Sequence, residues 1–131
     1  MVQFAVPRRG LPSEASFRRW AAAVSSFKVN LVLVGRAEGR RLNQKFRGKK
    51  RPTNVLSFPD TGDIVLCDPV IRREARQQGK ALAAHYAHLV VHGILHLRGY
   101  DHVTKRQAAR MEREEIRRLR RLGFADPYTV E

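Results

Sequence analysis

A chain of 131 residues with one Cys, 26 Lys and Arg against 12 Asp and Glu, and a formal charge of +14 predicts a single domain over residues 1–131 that needs no disulfide staple. The lone Cys67 excludes an internal disulfide and any zinc site built on paired cysteines. No stretch reads as a signal peptide or membrane span, so a soluble cytoplasmic protein without a membrane partner is expected. The charge predicts a polyanionic partner, nucleic acid first, and by itself separates RNA neither from DNA nor from an anionic membrane surface, nor from a basic surface kept for solubility.

Val2, Phe4 and Val6 alternate with Gln3 and Ala5 ahead of Pro7, which predicts a short strand at a sheet edge or beside the next strand. After Gly10 and Pro12, Ser13 is placed to cap a helix running to about Val24, with Ala15, Phe17, Trp20, Ala21 and Val24 turned to the core. The nearly unbroken apolar run within Lys28 to Val34 predicts a central strand covered on both faces. Glu38 to Phe46 predicts a short helix, Leu42 and Phe46 sharing a face, that delivers Arg47 to a loop. That loop sets Arg47, Lys49, Lys50 and Arg51 within five residues and stops at Pro52, making it a candidate phosphate-binding segment or a merely solvated one.

Asn54 to Phe58 and Asp63 to Cys67 predict two strands joined by a hairpin-like turn at Gly62. Asp68 as N-cap and Pro69 at the first position predict a helix that ends at Gly79. Lys80 to about Leu97 predicts a long, deeply placed helix with Leu82, Ala83, Ala87, Val90, Val91, Ile94 and Leu95 on its apolar sides. The last helix, Thr104 to Leu122, opens on a Thr104/Gln107 capping box and ends near Gly123. Its inner stripe is Ala108, Met111, Leu119 and Leu122. Its outer face mixes Arg110, Arg113, Arg117, Arg118, Arg120 and Arg121 with Glu112, Glu114 and Glu115, which reads as a solvated face with local pairing.

The long helix carries the chemistry. His92 and His96 are one turn apart on one face, and Gly99 can take positive φ and fold the chain back so that His102 reaches the same point. The pattern H-x3-H-x2-G-x2-H is expected by chance only about 0.0005 times in a chain of this composition. Three imidazoles form a Zn²⁺ site with its fourth position open, the arrangement of a catalytic rather than a closed structural centre. His85 and His88 lie in the same third of the helix and pair less well with a downstream turn. They and Asp101 are therefore assigned supporting, substrate-facing or core places around the metal. The spacing resembles the zinc-protease signature H-E-x-x-H-x-x-G-x-x-H, but Gly93 stands where the protease base would be, which weighs against peptide hydrolysis. Phosphodiester cleavage can use such a metal, with the leaving alkoxide protonated by water or a nearby acid and a cation offsetting charge on the nonbridging oxygens, for which Arg47 is the candidate, with Lys49, Lys50 and Arg51 guiding the strand.

His92-Gly93-Ile94-Leu95-His96-Leu97-Arg98-Gly99-Tyr100-Asp101-His102, together with Arg47-Gly48-Lys49 and Pro52-Thr53-Asn54-Val55-Leu56-Ser57-Phe58, resembles the signatures of the YbeY endoribonucleases, zinc enzymes of ribosomal RNA maturation. Gly62-Asp63-Ile64 and Asp126-Pro127-Tyr128 add weaker support. The resemblance implies an α+β fold with a four-stranded mixed sheet, about five helices and the metal site on the long central helix. It implies one Zn²⁺ on His92, His96 and His102, Arg47 acting on the RNA phosphate, and single-stranded RNA as substrate. The implied role is in 16S 3′-end maturation and ribosome quality control, with the small ribosomal subunit and its associated proteins as partners. Alternatives are an RNA- or ribosome-binding factor with a structural metal, or a metal hydrolase of another class. Two departures stand out: the Asp60–Gly62 connection is short, and Arg98 occupies a position more often apolar, adding a cation near the metal or merely exposing one.

Overall fold

The computed structural model describes residues 1–25 and 27–129. In chain order the elements are β1 Val2–Phe4, α1 Glu14–Ala22, β2 Asn30–Val34, α2 Arg36–Arg47, β3 Val55–Phe58, β4 Asp63–Cys67, α3 Asp68–Gln78, α4 Leu82–Leu97 and α5 Lys105–Arg121. The sheet order is β1-β2-β4-β3. β1, β2 and β4 run parallel, and β3 is antiparallel to β4. This is the α+β arrangement with a four-stranded mixed sheet expected from the sequence.

β2 is covered on both faces because its side chains alternate between two apolar clusters. Leu31 and Leu33 enter the larger one, and Val34 the smaller one, where Val32 packs as a partly buried neighbour. The larger cluster is organised on α4, whose Tyr86, Ala87, Val90, Val91, Ile94 and Leu95 are completely buried. α1 packs beside it. Ser13 Oγ accepts the Ser16 N–H at 3.1 Å, which fixes the helix start. Phe17 sits edge-on to Phe4, Trp20 and Tyr86, with centroid distances of 5.9, 5.3 and 5.3 Å, a geometry that places positive ring edges on negative faces.

Several local expectations are corrected. Ala15 and Ala83 are exposed; small side chains can lie at the rim of an apolar stripe without loss. Phe46 is 54% exposed and touches Phe58 edge-on, whereas α2 buries Gly39 and Asn43. The reason is close approach: a Cβ at Gly39 would stand 2.7 Å from Cys67 Sγ. Asp68 is not the cap of α3. Cys67 holds that place, and the Asp68 carboxylate instead accepts hydrogen bonds from Arg72 Nε and the Tyr86 hydroxyl, tying α3 to α4.

A candidate metal centre and the network behind it

α4 ends where its sequence allows it to. Gly99 takes φ +96°, its N–H bonds the His96 carbonyl at 3.0 Å, and the Tyr100 N–H bonds the Leu95 carbonyl at 3.0 Å. These bonds satisfy the last carbonyls of the helix and reverse the chain. Asp101 Oδ1 accepts the His102 backbone N–H at 2.8 Å, and Thr104 with Gln107 closes the capping box that starts α5. The reversal brings His92, His96 and His102 together, with one ring nitrogen from each within 4.8 Å of the others. His92 and His96 are partly buried, and His102 is exposed.

The electrostatics favour a neutral ligand. Burial lowers the His96 pKa, and the neighbouring His92 and His102 lower it further, so the ring keeps a lone pair free for a cation. Three convergent imidazoles are the donor set of a Zn²⁺ or similar first-row metal site, and the residues present fit such an ion.

Behind His92 lies a carboxylate that the sequence reading placed on the solvent face of α5. Glu115 is 1% exposed. Its Oε2 is 2.8 Å from His92 Nδ1, its Oε1 is 2.8 Å from His88 Nε2, and it also accepts the Tyr128 hydroxyl. A carboxylate only accepts, so both ring nitrogens carry hydrogens, and His92 is left with Nε2 as its basic nitrogen. Burial alone would raise the Glu115 pKa, but the hydrogen bonds from His88, His92 and Tyr128 outweigh it and hold the group at about 2. Burial, then the hydrogen bond to Glu115, push the Tyr128 phenol up, keeping it a donor. A signal for Glu115 existed: Met111, Glu115 and Leu119 are spaced by four, so the glutamate lies on the inner stripe.

His88 is therefore committed to Glu115, and its Nδ1 has no partner among the described residues. His85 is 4% exposed, with Nε2 2.9 Å from Glu74 Oε1. Glu74 also accepts Asn54 Nδ2 at 3.1 Å. His85, His88 and His92 line one cleft of about 350 Å³ together with Asn54, Glu74 and Tyr128. Arg47 ends α2 just before Gly48, and Arg47, Lys49, Lys50 and Arg51 are all exposed. They are not among the residues lining that cleft. Arg98 donates to the Val24 carbonyl at 3.1 Å, which ties the turn after α4 to the segment just past α1. Gly93 has a packing reason: a Cβ there would meet Ile64 Cγ2 at 3.1 Å and Ser57 Oγ at 3.3 Å. Ser57 Oγ donates to the Gly93 carbonyl at 3.1 Å. A protease-type glutamate here would crowd Ile64 and Ser57, which would each have to give by a few tenths of an ångström.

A family profile described as "Endoribonuclease YbeY" matches residues 13–123. The chain belongs to this family. Curated YbeY endoribonucleases from Nitrosomonas eutropha and Alkalilimnicola ehrlichii are each 49% identical, with 99% of this chain aligned to 98% and 90% of theirs. One from Stenotrophomonas maltophilia is 46% identical over 99% of this chain and 92% of its own. The solution structure of TM1509 from Thermotoga maritima shares the fold, with a TM-score of 0.58 and 23% identity over 99% of this chain and all of that one. The YbeY match includes Arg47, the three histidines and Glu115, while Tyr128 lies beyond it. No helix among the described residues is long and apolar enough to cross a membrane.

Proposed function

We propose that this chain is a zinc-dependent endoribonuclease that cuts single-stranded RNA in ribosomal RNA processing, including 16S 3′-end maturation and ribosome quality control. Residues 1–131 act as one domain, in the cytoplasm, on RNA presented by the small ribosomal subunit and its associated proteins. The observation that carries the reading is the convergence of His92, His96 and His102 in a chain of charge +14 whose family is named for RNA cleavage.

One Zn²⁺ per chain, held by His92, His96 and His102, supplies Lewis acidity at the scissile phosphate and acidifies water. Glu115 fixes the His92 ring so that Nε2 faces the other two imidazoles, and raises its basicity. His88 and Tyr128 both donate to the other carboxylate oxygen of Glu115 and keep that carboxylate ionised in a buried place. Asp101 holds the backbone of the turn that presents His102. Arg47 offsets charge developing on the phosphate oxygens, and Lys49, Lys50 and Arg51 draw the strand in. His85, paired with Glu74, shapes the floor of the neighbouring cleft.

The test is metal content and RNA cleavage measured on one preparation of His96→Ala. Loss of both supports the reading; loss of metal with full cleavage overturns it. A chain that supports ribosome assembly and binds RNA tightly when stripped of metal would point instead to a binding factor.

A further inference from the structure

α5 holds eight basic side chains and three acidic ones in 17 residues, and they are not mixed evenly. Arg106, Arg110, Arg113, Arg117 and Arg120 are all exposed and recur at spacings of four and three. At 3.6 residues per turn they fall within about 80° of one another around the helix. Met111, Glu115 and Leu119, the buried residues, occupy the opposite side. Glu112 and Glu114 lie off the arginine stripe, so the stripe itself carries no acid. A helix face kept only for solubility intersperses both signs; this one segregates them.

The placement adds a second observation. Arg110 lies 5.0 Å from the centre of the Tyr100 ring, and Tyr100 belongs to the turn that delivers His102. Arg98, Tyr100, Asp101, Gln107 and Arg110 line a small hollow at that junction. Farther along, Arg113, Ile116, Arg117 and Arg120 line a shallow groove of about 370 Å³. Glu114 holds the Arg117 guanidinium with bonds of 2.7 and 3.1 Å, which fixes its direction. Among the described residues Arg106, Arg110, Arg113 and Arg120 take part in no ion pair.

We infer that this stripe is a track for the phosphate backbone of the RNA flanking the cut, running from the metal turn along α5. The inference rests on the proposed RNA substrate and names a second contact surface for it. Successive arginines rise by about 5 Å along the axis, a step that suits consecutive phosphates of an extended strand, and the whole stripe spans about 21 Å. Such contacts fix the path of the strand without reading its sequence.

The experiment compares wild type with the triple variant Arg106→Gln, Arg113→Gln, Arg120→Gln. Binding and cleavage are measured for a short RNA of about 5 nucleotides and one of about 25, across a salt series. Helicity and metal content serve as folding controls, and vesicles rich in phosphatidylglycerol serve as a rival polyanion. The expected result is affinity for the long RNA reduced about tenfold or more, with the slope of log K against log salt shallower by about 2, since each phosphate contact on a single strand contributes about 0.7. Cleavage of the short RNA stays at the wild-type rate, and a triple Arg→Lys variant regains most of the long-RNA affinity. Unchanged long-RNA affinity and slope would overturn the track while leaving the nuclease reading intact. A loss confined to vesicle binding would overturn it in favour of a membrane surface. A wild-type chain that cuts neither RNA, yet whose long-RNA binding depends on the three arginines, would remove the nuclease reading and keep the track.

Discussion

The turn from His92 to His102 and the loop from Arg47 to Thr53 are both dense in candidate functional side chains, yet they are built in opposite ways. In the first, several groups are held by others: His92 by Glu115, Glu115 by His88 and Tyr128, and the His102 backbone by Asp101. In the second, Arg47, Lys49, Lys50 and Arg51 stand in solvent, and among the described residues no ion pair holds them. A metal centre has to be organised before its ligand arrives, because three donors must meet within bonding distance of one point. A phosphate-binding loop acts at longer range and is ordered by the anion it meets.

The difference can be broken experimentally. The largest effect is expected for His96→Ala, which should lose bound metal and nearly all cleavage; retained metal at one per chain would show that the trio is not the site. Next, Arg47→Glu should keep fold and metal content while cleavage drops by about 10²–10³, the scale of losing one charge-stabilising group. Unchanged turnover would remove Arg47 from the reaction. Glu115→Gln should weaken metal affinity about 10- to 100-fold, read by competition with a chelating indicator; wild-type affinity would reduce Glu115 to a structural role.

Acid should weaken the first region before the second. The hydrogen bonds from His88, His92 and Tyr128 outweigh burial and hold Glu115 at about 2, below the ordinary 4.5, so its stabilisation is complete above about 4.5 and fades as pH falls toward 2. Depression of the His96 pKa acts in the same direction: the unfolded chain takes up a proton near pH 6.5 that the folded chain resists. Urea midpoints of the metal-free protein should therefore fall as pH drops from 7, with the Glu115 share lost between about 4.5 and 2, and Glu115→Gln should flatten the decline in that lower window. An equal slope in the variant would remove Glu115 as the cause. The smallest effect is expected for Tyr128→Phe, which removes one donor to Glu115 and should cost about 1–2 kcal/mol of stability with only a few-fold change in metal affinity.

The parts legible in the sequence are those fixed by neighbours along the chain. The helix-turn geometry that joins His92, His96 and His102 depends on local spacing and on Gly99. The caps at Ser13 and Thr104 are equally local, and the apolar run of β2 announces a strand covered on two faces. Glu115 was hidden because a carboxylate among arginines looks like a surface ion-pair partner. Its burial depends on α4 and α5 meeting so that two histidines, many residues away in sequence, satisfy it. Asp68 departs from its sequence expectation for a similar reason: its carboxylate goes to Arg72 and Tyr86 and not to the helix cap. Arg98 could not be placed from its neighbours, since its acceptor is the Val24 carbonyl just past α1.

Zinc titration of the metal-stripped protein, with RNA cleavage followed at each addition, tests the central claim most directly. Cleavage should be absent at the start and rise linearly to a break at about one equivalent per chain, with His96→Ala silent throughout. Full cleavage by the stripped wild-type chain, or a rise that ignores the three histidines, would contradict the account.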